Sequence, residues 1–332
     1  MMGEDRGVRN SMLVKIWPMA VAAGATLLVF LCYDNMLSHV LALPVAPRSH
    51  RSRGSTAIAH RNNLRSDGTR TSSLAATCRV QFVFAGPKYD YKDFPKLQSW
   101  VQYTDPQCAI EFVRTDHPFL RDLSADEKDV LQDSAFLPIL QADLMKLLVL
   151  YYRGGLVTDL DTKPLVAFPH GWTGPDTELS TCDVVLGVEA HCYRDDCVGT
   201  LVRKGQIQNW AMWTRRRRSL FVRGLLDYVI DKFKSFPLPH DKGVVAVQEV
   251  AGSGPITDFV QFYGDFDRAF YKVPTDGGVG GSQLETNKFG ILRIRKQNEE
   301  VCVVGPTWTG GLCFGADNCL LQHTWGGSWQ SP

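Results

Sequence analysis

The chain carries almost no charge excess: 36 Lys and Arg against 35 Asp and Glu leave a formal net charge of +1. That removes any general electrostatic pull toward nucleic acid. It has no CxxC pair and its cysteine spacings match no zinc motif, so its nine cysteines do not read as a metal framework. No internal repeat is present. The glycine-rich run Gly277 to Gly281 lacks a strand-to-helix setting and is no phosphate loop. Large apolar residues are nearly missing between Arg48 and Arg70, where six arginines stand against the single Asp67, and such a stretch cannot fold alone.

What is there begins with an uncharged apolar run from Trp17 to Tyr33, continued beyond Asp34 and Asn35 by Met36 to Leu43. A hydrocarbon core needs about 20 apolar residues in a helix, so the run reads as one transmembrane anchor. A cleaved signal peptide is the competing reading, and the residues after Tyr33 fit its small-x-small cleavage site poorly. The chain then divides into a cytosolic tail 1–16, a signal anchor 17–36, a Ser/Arg/Asn-rich disordered stem 37–77 and a body 78–332. The type II orientation places that body in the lumen of the Golgi or the endoplasmic reticulum. Cysteine usage agrees, because setting Cys32 aside in the span leaves an even set of eight in the body. Cys78 and Cys108 each precede an apolar run, and their sulfurs would meet if those runs were neighbouring parallel strands. Close spacing makes Cys192 with Cys197 and Cys313 with Cys319 further candidates, with the connectivity left open.

From Cys78 short β-rich runs alternate with helical ones, the pattern of an α/β domain with a mostly parallel central sheet and flanking helices. Strands are predicted at Val80 to Ala85, Ala109 to Val113, Leu156 to Asp161, Cys182 to Val188, Gly290 to Arg295 and Val301 to Val304. Helices are predicted at Pro95 to Gln102, from Ser124 to Gln132, and from Ser219 to Phe233. In Leu137 to Tyr152 the residues Leu140, Leu144, Leu147, Leu148 and Tyr151 fall at helical spacing, with Asp143 and Lys146 three apart on a shared edge of an amphipathic helix. Gly154 and Gly155 end it in a left-handed C-cap.

The strand that follows would project Val157, Asp159 and Asp161 to one face. Two carboxylates in so small a volume repel, and either one proton or a hard divalent ion such as Mn²⁺ or Mg²⁺ must relieve them. Such ions prefer one or two carboxylates plus phosphate oxygens, which makes a nucleotide diphosphate the expected ligand. A D-x-D pair by itself also ends many surface strands.

The string QADLMKLLVLYYRGGLVTDLDTKPL resembles the signature of glycosyltransferase family 32, the DxD sugar-binding glycosyltransferases that include the initiation-specific mannosyltransferases. Their pattern is an Asp-x-x-Arg helix, two glycines and a strand ending in D-x-D. Here Asp143, Lys146, Gly154, Gly155, Asp159 and Asp161 follow in that order, and the terminal HTWGGSW and Ser99-Trp100 are similar to the family's closing and opening motifs. The resemblance implies a GT-A fold over residues 78–332, a nucleoside-diphosphate hexose donor, a divalent metal and transfer with retention. It further implies that Asp161 binds the metal directly, with Asp159 acting on the ribose or through water. Asp143 would hold sugar hydroxyls and Lys146 would approach the diphosphate, while His323, Ser328 and Trp329 close over metal and pyrophosphate. Asp143, Lys146 and Trp329 are then the candidates for catalysis, and Asp159, Asp161 and His323 those for metal. Mannose from GDP-mannose is the first donor implied, UDP-galactose or UDP-N-acetylglucosamine the next, with a glycan or glycolipid as acceptor. Two departures stand out: the family's Arg is Lys146, which keeps the charge without the bidentate fork, and the first strand reads Gln81-Phe82-Val83-Phe84.

Other features carry plainer readings. Arg215 to Arg218 would draw an anionic acceptor or lipid toward the site, or simply form a solvated turn before a helix. Asn209-Trp210 falls where the family often has an Asn near the donor, and Trp210 equally suits a core; Trp308, Trp325 and Trp329 suit sugar faces, with packing enough to explain at least one, and Ser253-Gly254-Pro255 is similar to a Gly-Pro turn of the family, for which a plain turn is sufficient. Asp159-Leu160-Asp161-Thr162 also suggests a haloacid-dehalogenase-type phosphatase, but that motif belongs on a first strand and needs its Thr one residue later. A sugar-binding protein that keeps the fold without turnover is the third reading.

Overall fold

The computed structural model describes residues 78–86, 96–194, 201–236, 247–267, 269–272, 290–311 and 313–324. All of them belong to one compact unit, Asp67–Pro332. The anchor expected at 17–36 and the stem at 37–77 lie outside the described residues, and no described helix is long and apolar enough to cross a membrane.

Alternation builds the first strand. In β1 (Arg79–Val83) Val80 and Phe82 turn to one side of the sheet while Val83 turns to the other. Strand β1 lies parallel to both β2 (Ala109–Val113) and β3 (Gly155–Thr158). The remaining sheet strands are β5 (Val184–Val188), β6 (Ile207–Thr214), β7 (Ile291–Lys296) and β8 (Glu299–Val304), giving the order β2-β1-β3-β6-β5-β8-β7. Pairings β3 with β6, β6 with β5 and β8 with β7 are antiparallel, so β6 and β7 run against the other five strands. The sheet is mixed with one dominant direction, as expected of an α/β domain with a mostly parallel sheet.

Each face carries its own core. Helices α3 (Pro138–Arg153), α4 (Leu220–Ser235) and α5 (Ser253–Tyr263) pack on one face through Leu144, Leu148, Leu225, Val229 and Ile256 against Val157 and Met212. On the other, Trp100 of α1 (Leu97–Tyr103), Trp172 and Leu321 pack against Phe82, Leu156 and Trp213. Side chains of this size contribute roughly 1.5–3 kcal/mol each when fully buried. A two-stranded sheet of β4 (Thr162–Pro164) and β9 (Leu321–His323) sits beside the larger one.

Helix α2 (Ala125–Asp133) starts as its sequence predicts: Ser124 accepts from the Glu127 amide and Glu127 accepts from the Ser124 amide, a reciprocal capping box. Helix α3 departs from the amphipathic expectation, because every residue from Asp143 to Leu150 is buried, the two polar ones included. It has layers on both sides, the sheet beneath and α4 and the loop before α5 beyond. Gly154 ends it at φ +66°, ψ −169°, a positive-φ conformation open to glycine but outside the left-handed helical region, and an added Cβ would stand 3.0 Å from the Arg216 carbonyl carbon.

The bridges Cys78–Cys108 and Cys313–Cys319 form as the sequence suggests. A third, Cys182–Cys302, has no spacing signal in the sequence; it ties β5 to β8 across 120 residues. Cys192 is also disulfide-bonded, while its suggested partner Cys197 lies outside the described residues, as do Gly277 to Gly281.

Arg215 to Arg218 take the plainer of their two readings, a turn before a helix with Arg216 to Arg218 exposed. Because β6 runs antiparallel, Thr214 pairs with Gly155 at the start of β3, so Arg215 to Arg218 lie at the opposite end of the sheet from Asp159. There Arg215 donates to the Cys182 and Ser180 carbonyls and Arg216 pairs with Glu299, so the turn is structural and cannot steer a ligand to the carboxylates. Glu299 is buried and caps α4: its carboxylate accepts from the Leu220 and Phe221 amides and the Ser219 hydroxyl. Burial alone would raise its pKa, but those donors and Arg216 hold it below the ordinary 4.5. A depressed folded pKa stabilises fully above the unfolded value and is lost as pH falls through the folded one. Glu299→Gln, which turns an amide N–H toward backbone donors, is expected to lower unfolding free energy by about 2–3 kcal/mol at pH 7. The difference from wild type should shrink below pH 4.5 in denaturant melts.

Candidate active site

The acidic pair meets by a different route from the one strand alternation implies. Strand β3 stops at Thr158, and Asp159 and Asp161 occupy a turn before β4. That turn is pinned on several sides. The Asp159 amide donates to the Trp210 carbonyl (2.9 Å), and the Asp159 carbonyl accepts from the Thr162 hydroxyl (2.6 Å). The Asp161 carbonyl accepts from the Thr324 amide (2.8 Å) and hydroxyl (2.7 Å), and the Trp100 indole donates to the Thr162 carbonyl (3.0 Å). Pairing of Thr162 with His323 brings β9 alongside, so one ligand atom each from Asp159, Asp161 and His323 falls within 4.8 Å of the others. The His323 Nε2 lies 3.2 Å from Asp161 Oδ1, and its ring packs on Trp210 with centroids 4.7 Å apart.

Beneath this group, α3 delivers a buried ion cluster. Lys146 Nζ lies 2.6 Å from Asp159 Oδ1 and 3.2 Å from Asp143 Oδ1. Burial pushes the Asp143 carboxyl up to about 6, with Lys146 opposing and Asp159 adding to the rise. Burial would lower the Lys146 ammonium, but Asp159 and then Asp143 hold it well above its usual range, so the nearer Asp159 has the stronger claim on the cation. With all groups ionised, the carboxylates Asp143, Asp159 and Asp161 against the one ammonium of Lys146 leave two negative charges. A divalent cation cancels both, and one imidazole with carboxylate oxygens is a donor set such ions accept. The side chains of Asp159 and Asp161 remain 30% and 22% exposed, which leaves room for ligand oxygens.

The fold brings Asp143, Lys146, Asp159, Asp161 and His323 to one place, with Lys146 turned onto Asp159. Ser328, Trp329 and Trp325 lie outside the described residues. Trp308 is a buried core residue, and Trp210 serves as the floor under His323. Three further groups lie beside the cluster, of which Asn209 is the one the family resemblance set near the donor. Asn209 on β6 hydrogen-bonds Asp143. Ser253-Gly254-Pro255 opens α5 rather than closing a loop, and a Cβ on the preceding Gly252 would stand 3.4 Å from Asp143 Oδ2. Glu189, just beyond β5, is buried within electrostatic reach of His323.

Residues 83–177 match the family model described as glycosyltransferase sugar-binding region containing DXD motif. The initiation-specific alpha-1,6-mannosyltransferase of Schizosaccharomyces pombe is 28% identical over 199 residues, covering 52% of this chain and 49% of that protein. Its Saccharomyces cerevisiae counterpart is 27% identical over 158 residues, covering 37% and 33%. The chain thus spans about half or less of the length of these relatives. Among solved structures, the PaToxG glycosyltransferase aligns with a TM-score of 0.37 at 13% identity, over 57% of this chain and 73% of that one. The resemblance to glycosyltransferase family 32 read from the sequence is supported by the family match and by both yeast relatives.

Proposed function

From the DXD-containing glycosyltransferase sugar-binding region that this chain carries, we propose that it is a metal-dependent, retaining hexosyltransferase using a nucleoside-diphosphate sugar. The convergence of Asp159, Asp161 and His323 above the buried Lys146 carries this reading. Asp161 and His323 are the direct cation ligands; Asp159, already engaged by Lys146, acts through water or on the ribose. Asp143, held between Lys146 and Asn209, has the task of accepting hydrogen bonds from sugar hydroxyls.

A divalent cation bound at this site would supply charge neutralisation to the departing diphosphate. The chain's own residues do the rest. Lys146 pairs with Asp159 and favours the ionised form of the buried Asp143, and Asp143 with Asn209 orients the donor sugar. In a front-face retaining reaction the bond from the anomeric carbon to the diphosphate oxygen breaks and a bond to the acceptor oxygen forms on the same face. The acceptor proton leaves with the phosphate, so no protein nucleophile is named.

The yeast relatives are named as mannosyltransferases, which makes mannose from GDP-mannose the first donor, with UDP-galactose or UDP-N-acetylglucosamine as the alternative. Three disulfides among the described residues suit an oxidising compartment. With the anchor sequence at 17–36 they support a type II protein with its body in the Golgi or endoplasmic-reticulum lumen, acting on a glycan or glycolipid. The test is a nucleotide-sugar panel with the full chain, in Mn²⁺ and in EDTA. Release of GDP from GDP-mannose only with Mn²⁺ is expected. Release of neither GDP nor UDP from any donor, or sugar binding without turnover, would overturn the reading.

A further inference from the structure

The turn that packs on Asp143 is held from behind by an arginine outside the cluster. Ala251 and Gly252 link the short helix Val247–Val250 to α5, and their amides both donate to the Val247 carbonyl (3.2 and 3.1 Å). Val250 shares a buried core with Leu144 and Leu147 of α3, and a Cβ on Gly252 would stand 3.4 Å from Asp143 Oδ2. This turn is therefore one wall of the space around Asp143.

Arg203 grips the chain on both sides of it. Nη1 and Nη2 donate to Glu249 Oε1 and Oε2 (2.8 Å each), while Nε and Nη2 donate to Asp258 Oδ1 and Oδ2 (2.7 and 2.9 Å). Glu249 precedes the turn and Asp258 follows it in α5, so one planar guanidinium makes two bidentate pairs across it. The arginine is itself anchored. Its amide and that of Val202 donate to Oε1 of the fully buried Gln206 (3.2 and 2.8 Å), and Nη1 also donates to the Val202 carbonyl (2.7 Å). Strand β6 starts at the next residue, Ile207, whose amide donates to Thr257 Oγ1 (2.9 Å), and the Thr257 hydroxyl donates to the Ser253 carbonyl (2.6 Å). Asn209, the other neighbour of Asp143, lies two residues further along that strand. A Cβ on Gly254 would stand 2.7 Å from the Gln248 carbonyl oxygen and 3.3 Å from both Glu249 Oε2 and Val202 Cγ2, so glycine is what lets α5 begin directly against the gripped carboxylate.

Charge pairing alone does not explain this arrangement. Asp258 has a second cation, Lys232 Nζ at 3.2 Å, and the side chains of Arg203, Glu249 and Asp258 stay partly exposed, where water screens a simple ion pair. What the fork adds is fixed geometry across the turn. We propose that Arg203 is a positioning residue for the donor sugar, its two-sided grip setting the Ala251–Gly252 turn against Asp143. This rests on the proposed reading of Asp143 as the group that accepts hydrogen bonds from sugar hydroxyls. Loosening the grip then disturbs the sugar and leaves the nucleotide and cation alone.

Arg203→Lys keeps the charge but cannot pair bidentately with two carboxylates. With the full chain in Mn²⁺, kcat/KM for GDP-mannose hydrolysis should fall about 10–100-fold, because a displacement of about 1 Å costs on the order of 10²-fold, while GDP titrated by calorimetry should bind within about twofold of wild type. UDP-galactose and UDP replace that pair if the donor panel selects uridine. Lys232→Gln strips Asp258 of its other cation and spares the fork, so both values should stay at wild type. Parallel losses of donor turnover and nucleotide binding in Arg203→Lys, no loss in either, or an equal loss of turnover in Lys232→Gln would overturn the proposal. Melting midpoints separate lost folding from lost positioning. If Arg203→Lys fails to fold, Glu249→Gln, which keeps one acceptor oxygen and the whole Arg203–Asp258 pair, carries the comparison, and unchanged kcat/KM there would overturn the proposal too. Any of these contrary results in a wild type that turns over its donor sinks this inference alone. A wild type that releases neither GDP nor UDP from any donor sinks the proposed function, and this inference with it.

Discussion

Asp161→Asn is expected to lower metal-dependent donor turnover, as kcat/KM, by about three orders of magnitude, since tenfold corresponds to about 1.4 kcal/mol and a cation at the leaving group contributes several. Asp161 lies in the turn between β3 and β4, and its carbonyl is held by Thr324. The substitution leaves that backbone bond in place, so the melting midpoint of the metal-free protein should hardly move. A loss of turnover with an unmoved midpoint separates chemistry from folding. Turnover within about tenfold of wild type would remove Asp161 from the site.

Lys146→Met acts on both. Lys146 is the cation shared by Asp143 and Asp159, and its side chain is 6% exposed. Removing one partner from a buried ionic group costs about 3–5 kcal/mol, because the remaining charge is stranded. Denaturant unfolding should show that loss at pH 7, together with donor turnover near background. Lys146→Arg keeps the charge and should recover most of the stability. Its activity reports whether the ammonium is needed for geometry as well as charge, since the guanidinium is larger and planar. An unchanged unfolding midpoint in Lys146→Met would contradict the ion cluster.

What local sequence reveals of the site depends on how far apart its residues lie along the chain. Asp143 and Lys146 share a helix, and Asp159 and Asp161 a turn, so local spacing alone sets them near one another. His323 lies far beyond Asp161 in the chain, and only the family resemblance links the two. Asn209, inside β6, is tied to the donor only by the family resemblance, and Glu189 looks like an ordinary polar residue after a strand. Their meeting with the site depends on the order β3-β6-β5, in which strands distant in sequence become neighbours. The same is true of Cys182 with Cys302, joined only because β5 pairs with β8. The direction of β6, invisible in its own residues, likewise decides between the two readings of the basic turn: it puts the arginines at the far end of the sheet, as a turn before a helix.

In the proposed reaction Asp161 and His323 hold a divalent cation against a nucleotide diphosphate. Crystals grown with Mn²⁺ and GDP, with diffraction data collected at the manganese absorption edge, test it most directly. The expected result is an anomalous peak in direct contact with Asp161 and His323 and with diphosphate oxygens. A nucleotide bound with the manganese peak away from those two side chains would contradict it.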